Sequence, residues 1–340
     1  MFRLLFPLIL CVVFSDCTRG ERPAPPSLRV LTHDSFASKS GLGPILAREF
    51  EARCGVPLSY VVVGDSGQIL NRLLLDDKRG DASADIALGF DQIHWKSFAP
   101  HLISIHEIRE PLTPEAARAP RSEGFVPYDT GFFGWMLDEE AWKKTGQQVP
   151  ARWGELVRLP LGRWLVLEDP RTSTPGFAWL ASVREFVPAA ARGGFFRALK
   201  ERTLTLTPGW SQAYGLFLDG KAPLVFSYLT SQAYHREEAP QSKRYRALVI
   251  DDAAHLQIEG AGWIGHSKAE KEWGRCFFGV LLGEAVQQAL PQKQWMMPAR
   301  KGVRLPKSFE LLPRPSKIIE VGPTVVEEQA WLSEWRASLR

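Results

Sequence analysis

Residues 203–235 read TLTLTPGWSQAYGLFLDGKAPLVFSYLTSQAYH. The first five residues alternate Thr with Leu, a pattern typical of a strand, and Pro208-Gly209 ends it. A helical segment follows and ends at Asp219-Gly220, and residues 224–226 predict a second, buried strand. This order of strand, helix and strand is typical of an α/β sheet.

Three aromatic residues follow the two predicted strands. Trp210 comes after the first strand, and Tyr228 and Tyr234 come after the second. Ligands of open α/β sheets bind outside the carboxyl ends of the strands. Trp and Tyr rings have electron-rich faces that stack on flat ligands and attract cations. We therefore expect these rings to line a crevice for a flat, cationic ligand, although any single ring could instead only fill a core.

Composition places the chain among globular proteins. Its 340 residues are enough for two domains of ordinary size. Hydrophobic residues make up 45% and charged residues 24%. The net charge is only +4, and the basic residues are scattered, which argues against a nucleic-acid partner. No close-spaced Cys or His pair indicates a metal site.

The N-terminus has the pattern of an export signal. Arg3 precedes an apolar run over residues 4–14 that is too short to span a bilayer. A polar, Pro-rich tether follows, so residues 1–27 form a leader and a tether. Cys17 resembles the lipidated cysteine of bacterial lipoproteins, whereas Asp16 departs from the small residue that usually precedes it. A lipid anchor at Cys17 and a form without one both stay open.

Cys54 and Cys276 are the two cysteines that follow the leader. Each lies in a predicted helix among apolar residues. This placement favours two separate buried thiols over a disulfide.

The N-terminal third alternates strands with helices. Residues 28–32, 58–63 and 84–89 predict strands, which argues for a parallel sheet. Asp65, with Gln68 three residues on, has the spacing of a capping box at the start of the second helix.

A second polar segment follows the strand predicted at residues 164–167. Thr174 is the predicted N-cap of a helix, with Pro175 at the first helical position. The hydroxyls of residues 172–174 and the free N–H groups then offer a site for an anion or a hydroxyl. A capped helix with nothing bound is the alternative.

Six blocks of sequence resemble the thiamine-binding periplasmic proteins of bacterial ABC importers. The similarity runs in order over residues 28–338. The blocks are LTHDSFA (31–37), ILNRL (69–73), EDPRTSTPG (168–176), GWSQAYGLFL (209–218), SQAYH (231–235) and WMMP (295–298).

The resemblance implies a two-lobed periplasmic-binding-protein type II fold of the α/β class. Each lobe would be a mainly parallel sheet flanked by helices, and the ligand would lie in the cleft between the lobes, which close by a hinge. The implied divisions are the export signal and tether (1–27), a discontinuous first lobe (28–127 and 255–300), a second lobe (128–254), and a C-terminal helical segment that packs on the lobes (301–340).

The resemblance also implies a function. The protein would be a monomeric periplasmic receptor, with neither cofactor nor catalysis, that delivers thiamine, thiamine monophosphate or thiamine diphosphate to the permease of an ABC importer. The implied ligand-binding residues are His33, Asp65, Ser66, Thr172, Ser173, Trp210, Tyr228, Tyr234 and Trp295.

Chemical roles follow for these residues. Trp295 and Tyr234 would face the thiazolium cation, and Asp65 would oppose its charge. Trp210 and Tyr228 would flank the aminopyrimidine. Thr172 and Ser173 would take the hydroxyethyl group or a phosphate.

Two departures from the family leave the ligand open. His33 stands where the family often has Tyr, and Ser40 where it often has Trp, which removes an aromatic wall. A phosphate ester of thiamine and a related pyrimidine therefore stay open as ligands. Separately, a receptor for another organic cation or for ferric ion is an alternative, with Tyr228 and Tyr234 as the tyrosine pair that iron would need. A thiaminase-like enzyme of the same fold is a further alternative, which would need an activated cysteine.

Overall fold

The computed structural model describes residues 26–120 and 124–340. The predicted export signal, Cys17 and nearly all of the tether lie outside the described residues. Within these residues no helix is both long enough and apolar enough to cross a bilayer.

Strands and helices alternate along most of the chain. The strands are β1 (Leu28–Thr32), β2 (Leu58–Val62), β3 (Ile86–Asp91), β4 (Leu102–Ile103), β5 (Val126–Asp138), β6 (Leu165–Glu168), β7 (Thr203–Thr207), β8 (Leu224–Tyr228), β9 (Tyr245–Leu248), β10 (Ala253–Ile264), β11 (Met297–Pro298) and β12 (Lys317–Ile319). The helices are α1 (Asp34–Ala37), α2 (Gly43–Cys54), α3 (Ser66–Arg79), α4 (Trp95–Phe98), α5 (Glu139–Lys143), α6 (Trp153–Leu156), α7 (Thr174–Phe186), α8 (Ala189–Lys200), α9 (Trp210–Leu218), α10 (Ser231–Glu238), α11 (Lys271–Leu281), α12 (Glu284–Lys293) and α13 (Val325–Ser338).

The strands form a mixed sheet in the order β2-β1-β3-β10-β5-β8-β6-β7. β1 pairs in parallel with β2 and β3, which confirms the parallel arrangement predicted for the N-terminal strands. β6 pairs in parallel with β7 and β8. β10 is antiparallel to β3 and β5, and β5 is antiparallel to β8. We call β1, β2, β3 and β10 the first half-sheet and β6, β7 and β8 the second half-sheet.

β5 joins the two half-sheets. It is a long extended strand, and all but one of its residues are buried. Its first part pairs with β10 and its last part with β8. The resemblance predicts that the chain passes from the first lobe to the second between residues 127 and 128 and returns between residues 254 and 255. These lobe boundaries stay a prediction.

The C-terminal helix α13 packs against helices α7 and α8. The Trp331 ring stacks on Phe177 with centroids 5.7 Å apart, and Trp335 meets Trp179 edge-on at 6.2 Å. The spacing of the two tryptophans by four residues puts both on one face of the helix, where they pack against α7.

Cys54 and Cys276 form a disulfide, so the prediction of two separate thiols is wrong. Cys54 ends α2 and Cys276 lies in α11, and these helices pack side by side with the two Cα atoms 6.2 Å apart. Helical periodicity shows which face of a helix is buried but not which helix will lie beside it. A disulfide is expected to persist in an oxidising compartment such as the periplasm.

Candidate functional site

A cavity of about 840 Å³ lies between the two half-sheets. Its wall is built from the loops that follow β1, β2, β7 and β8, together with the segment after α12. The volume falls in the range of small-molecule sites. The ends of strands from both half-sheets therefore meet at one enclosure.

Six of the nine predicted binding residues line this cavity. The first half-sheet contributes His33 and Asp65, and the second contributes Trp210, Tyr228 and Tyr234. Trp295 comes from the segment after α12. Tyr and Trp rings thus share one enclosure with a carboxylate.

Hydrogen bonding fixes the orientation of Trp210. Its Nε1 donates to Ser227 Oγ at 2.8 Å, and its ring stacks on Tyr214 with centroids 4.9 Å apart. Tyr228 meets the same indole edge-on at 6.2 Å. Gly209 is the N-cap of α9 and has no side chain with which to cap the helix. Trp210 is the first residue of the helix and lies at its N-terminus.

Trp295 has an unusual backbone. Its φ of +57° lies in the left-handed region, which is costly for a bulky residue. Its half-buried ring meets Tyr234 edge-on, with centroids 5.2 Å apart. A strained backbone at a cavity wall indicates that the position of this ring matters more than local stability.

His33 follows β1 and lies at the cavity wall, 8% exposed. Its Nδ1 accepts a hydrogen bond from the Phe36 backbone N–H at 3.3 Å, which caps α1. Its Nε2 is buried and has no hydrogen-bond partner in the described part of the chain. Gly89, at φ +93°, lies against the ring, and a Cβ there would be 2.3 Å from His33 Cδ2.

Asp65 bridges the N-termini of two helices. Its Oδ1 accepts from the Ser66 N–H at 3.0 Å, within the capping box predicted for α3. Its Oδ2 accepts from the Trp210 N–H of α9 at 3.4 Å. The positive ends of two helix dipoles therefore offset part of the Asp65 charge.

Ser66, Thr172 and Ser173 are not part of the cavity wall. Ser66 Oγ lies 2.5 Å from Thr174 Oγ1, and Thr172 Oγ1 donates to the Pro208 carbonyl at 2.7 Å. Ser173 Oγ accepts from the Gly176 N–H at the start of α7. Their hydroxyls thus have partners within the protein, and a ligand-binding role for these three residues stays a prediction.

The N-cap of α7 is Ser173, so the prediction of Thr174 is wrong by one residue. Ser173 has the extended backbone of an N-cap, whereas Thr174 is already helical. The Thr174 hydroxyl instead donates to the buried carboxylate of Asp91.

The two half-sheets touch at the rim of the cavity. Ser211 Oγ donates to Asp34 Oδ1 at 2.9 Å, in addition to the contact between Asp65 and Trp210. Gly67 packs so closely on Thr172 that a Cβ would lie 2.8 Å from the Thr172 Cα. The structure therefore has its cleft closed.

Glu259 is a cavity residue that the sequence reasoning missed. It lies on β10, is 7% exposed, and its Oε2 accepts from the Tyr128 hydroxyl at 2.7 Å. Asp129, directly opposite on β5, is fully buried. The signal that could have found Glu259 was the one acidic residue in a strand that is buried along its whole length.

The ferric alternative is not supported by the tyrosines. Iron would need phenolate ligands, but burial and the charges of Glu259 and Asp65 raise the pKa of the Tyr228 hydroxyl well above its usual range. Across residues 26–120 and 124–340 no group of three His, Cys, Asp or Glu side chains is arranged to hold a metal ion. The disulfide also removes Cys54 and Cys276 as nucleophiles for a thiaminase-like reaction.

Proteins of known function are similar to this chain over nearly its whole length. No family model matches the chain. The thiamine-binding periplasmic protein of Brucella melitensis is 35% identical over 93% of this chain and 92% of its own length. That of Escherichia coli is 34% identical over 93% of this chain and 94% of its own length.

A solved structure supports the predicted fold. A periplasmic thiamin binding protein superposes with a TM-score of 0.83 at 32% identity, covering 94% of this chain and 98% of that protein. The α/β periplasmic-binding-protein type II fold is thereby confirmed.

Proposed function

Because the chain belongs to the family of thiamine-binding periplasmic proteins, we propose that it is a periplasmic receptor that binds thiamine and delivers it to the permease of an ABC importer. The observation that carries the proposal is the single cavity in which aromatic rings and carboxylates from both half-sheets face one another. The protein would act as a monomer and without catalysis. A lipid on Cys17 would anchor it to a membrane, and without that lipid it would be free in the periplasm.

The chemistry of thiamine suits this cavity. Thiamine joins a flat aminopyrimidine to a thiazolium ring with a permanent positive charge. Tyr234 and Trp295 can face that charge, since aromatic faces attract cations most strongly where water is excluded. Trp210 and Tyr228 then flank the aminopyrimidine, and carboxylates complete the counter-charge.

Free thiamine should bind more tightly than its diphosphate. The hydroxyls of Thr172 and Ser173, which were expected at a phosphate, are used in contacts outside the cavity wall. Two carboxylates that line the wall, Asp65 and Glu259, repel a phosphate. The lysine that lines the cavity, Lys293, is exposed to solvent, which weakens its attraction for a phosphate.

Titration of the intrinsic Trp fluorescence tests the proposal. We expect thiamine to bind with a dissociation constant of about 1 μM or less, the monophosphate less tightly, and the diphosphate least tightly. Ferric ion and an unrelated organic cation, such as choline, serve as comparison ligands. Absence of thiamine binding, or tighter binding of either comparison ligand, would contradict the proposal.

Replacing Trp295 by glycine should separate binding from stability. Thiamine affinity should fall by about 2 kcal/mol, since a desolvated cation–π contact is lost. The free energy of unfolding should stay within about 1 kcal/mol of wild type, because glycine relieves the strain of a positive φ. Fluorescence titration and urea unfolding measure the two quantities.

Trp331→Ala is the matched control for this variant. The Trp331 ring stacks on Phe177, and neither residue lines the cavity. This variant should lose stability by about 2–4 kcal/mol and keep its thiamine affinity. Equal losses of affinity in the two variants would show that Trp295 acts only through general packing.

A further inference from the structure

Two buried acids stand side by side where the half-sheets join. Glu259 on β10 and Asp129 on β5 are directly opposite in an antiparallel pair, so their side chains share one face of the sheet. The register shifts just beyond Glu259, and such a bulge re-aims side chains next to a site. Glu259 reaches the cavity wall, whereas Asp129 is fully buried behind it.

The surroundings of this pair are poor in positive charge. The groups that act on Glu259 are His33, Asp91, Asp129 and the hydroxyl of Tyr128, of which His33 is the group that can carry positive charge. Tyr228, from β8, faces the same carboxylate. Apart from the Glu259 carboxyl, with which it shares a hydrogen bond, Asp129 has no hydrogen-bond partner for either side-chain oxygen among the residues that the structure describes. A second ionised acid next to the first would thus be uncompensated.

One proton on the pair resolves this conflict. Two neighbouring carboxylates in a buried site cannot both ionise at low cost. Burial raises the pKa of Asp129 well above its usual range, and the charge of Glu259 raises it further. Burial also raises the pKa of Glu259. One proton on the pair therefore stabilises the site as long as no cation lies beside it.

We propose that Glu259 is a second counter-charge for the ligand cation and that the Asp129–Glu259 pair releases its proton when the cation enters the cavity. This inference rests on the proposed thiamine function. The carboxyl O–H bond breaks, the proton passes to the solvent buffer, and the thiazolium charge takes its place beside the two carboxylates. A cation is thereby favoured over a neutral ligand of the same shape.

Proton release makes affinity depend on pH. A ligand whose binding releases a proton binds more tightly as the pH rises, by up to about tenfold per pH unit for one full proton. Wild-type affinity for thiamine should therefore increase with pH over the range in which the free pair is protonated and the occupied pair is not. The uncharged aminopyrimidine half of thiamine should show no such increase.

Calorimetric titration with thiamine measures the released proton directly. The heat of binding is compared between two buffers of different ionisation enthalpy at about pH 7.5, above the ordinary titration range of histidine. Wild type should release a measurable fraction of one proton per thiamine. Asp129→Asn should bind thiamine without releasing a proton, and Glu259→Gln should release none and bind more weakly by about tenfold or more.

The His33→Gln variant tests whether the released proton comes from His33 instead of the carboxyl pair. It should keep the proton release, whatever its affinity. Release that is lost in His33→Gln but kept in both carboxyl variants would assign the proton to histidine and overturn the inference. Should Asp129→Asn fail to fold, the Glu259→Gln variant decides alone, since a structural role would lower affinity without changing the proton count.

The same titrations separate this inference from the proposed function. Tight thiamine binding with no proton release in wild type would overturn the proton inference and leave the receptor function intact. Absence of thiamine binding in wild type would overturn the receptor function itself.

Discussion

Replacing Asp65 by asparagine should weaken thiamine binding by about 2–4 kcal/mol, or roughly 30-fold to 1,000-fold. Asp65 accepts backbone N–H groups at the starts of both α3 and α9, so it joins the two sides of the closed cleft beside the cavity. Asparagine can still cap one helix, but its amide donor cannot accept the N–H of the other. The variant loses a negative charge and a contact of the closed state together.

Fluorescence titration of Asp65→Asn against Asp219→Asn measures the effect. Asp219 follows the opposite end of α9, is exposed, and changes the net charge equally. It should bind thiamine as wild type does. If Asp65→Asn also binds as wild type does, then Asp65 is only a helix cap and the counter-charge lies elsewhere, with Glu259 the first candidate.

Replacing both Cys54 and Cys276 by serine should lower the free energy of unfolding by about 2–5 kcal/mol. The disulfide joins residues 222 apart in sequence, so it removes much conformational freedom from the unfolded chain. The bond lies between α2 and α11, away from the cavity wall. Thiamine affinity of the folded variant should therefore stay unchanged.

Urea unfolding with and without a reducing agent tests this prediction. Reduced wild type should unfold at the same urea concentration as the double serine variant. Equal midpoints for oxidised wild type and the variant would show that the cross-link contributes nothing to stability.

Residues with strong local signals were predictable. The strand at residues 28–32 and the capping box of Asp65 and Gln68 depend on patterns only a few residues long, and both are present. The position of Trp210 at the start of α9 follows from the Pro208-Gly209 break in the same way. Strand ends also point to the cavity, because β–α loops of one sheet edge meet there.

Contacts between distant elements were not predictable in this way. The Cys54–Cys276 bond depends on the packing of α2 against α11, which no periodicity reveals. The pairing of Glu259 with Asp129 depends on the register between β10 and β5, including a bulge. Thr172 and Ser173 stand in the segment that the resemblance suggested, yet the Thr172 hydroxyl donates to the Pro208 carbonyl of the neighbouring loop and the Ser173 hydroxyl caps its own helix.

The central claim is that rings and carboxylates from both half-sheets enclose one thiamine cation, and a crystal structure of the thiamine complex tests it most directly. The account predicts the thiazolium ring against Tyr234 and Trp295, the aminopyrimidine beside Trp210, and a carboxylate of Asp65 or Glu259 within about 4–6 Å of the positive charge. A complex in which thiamine lies outside this cavity, or contacts residues of one half-sheet alone, would contradict it.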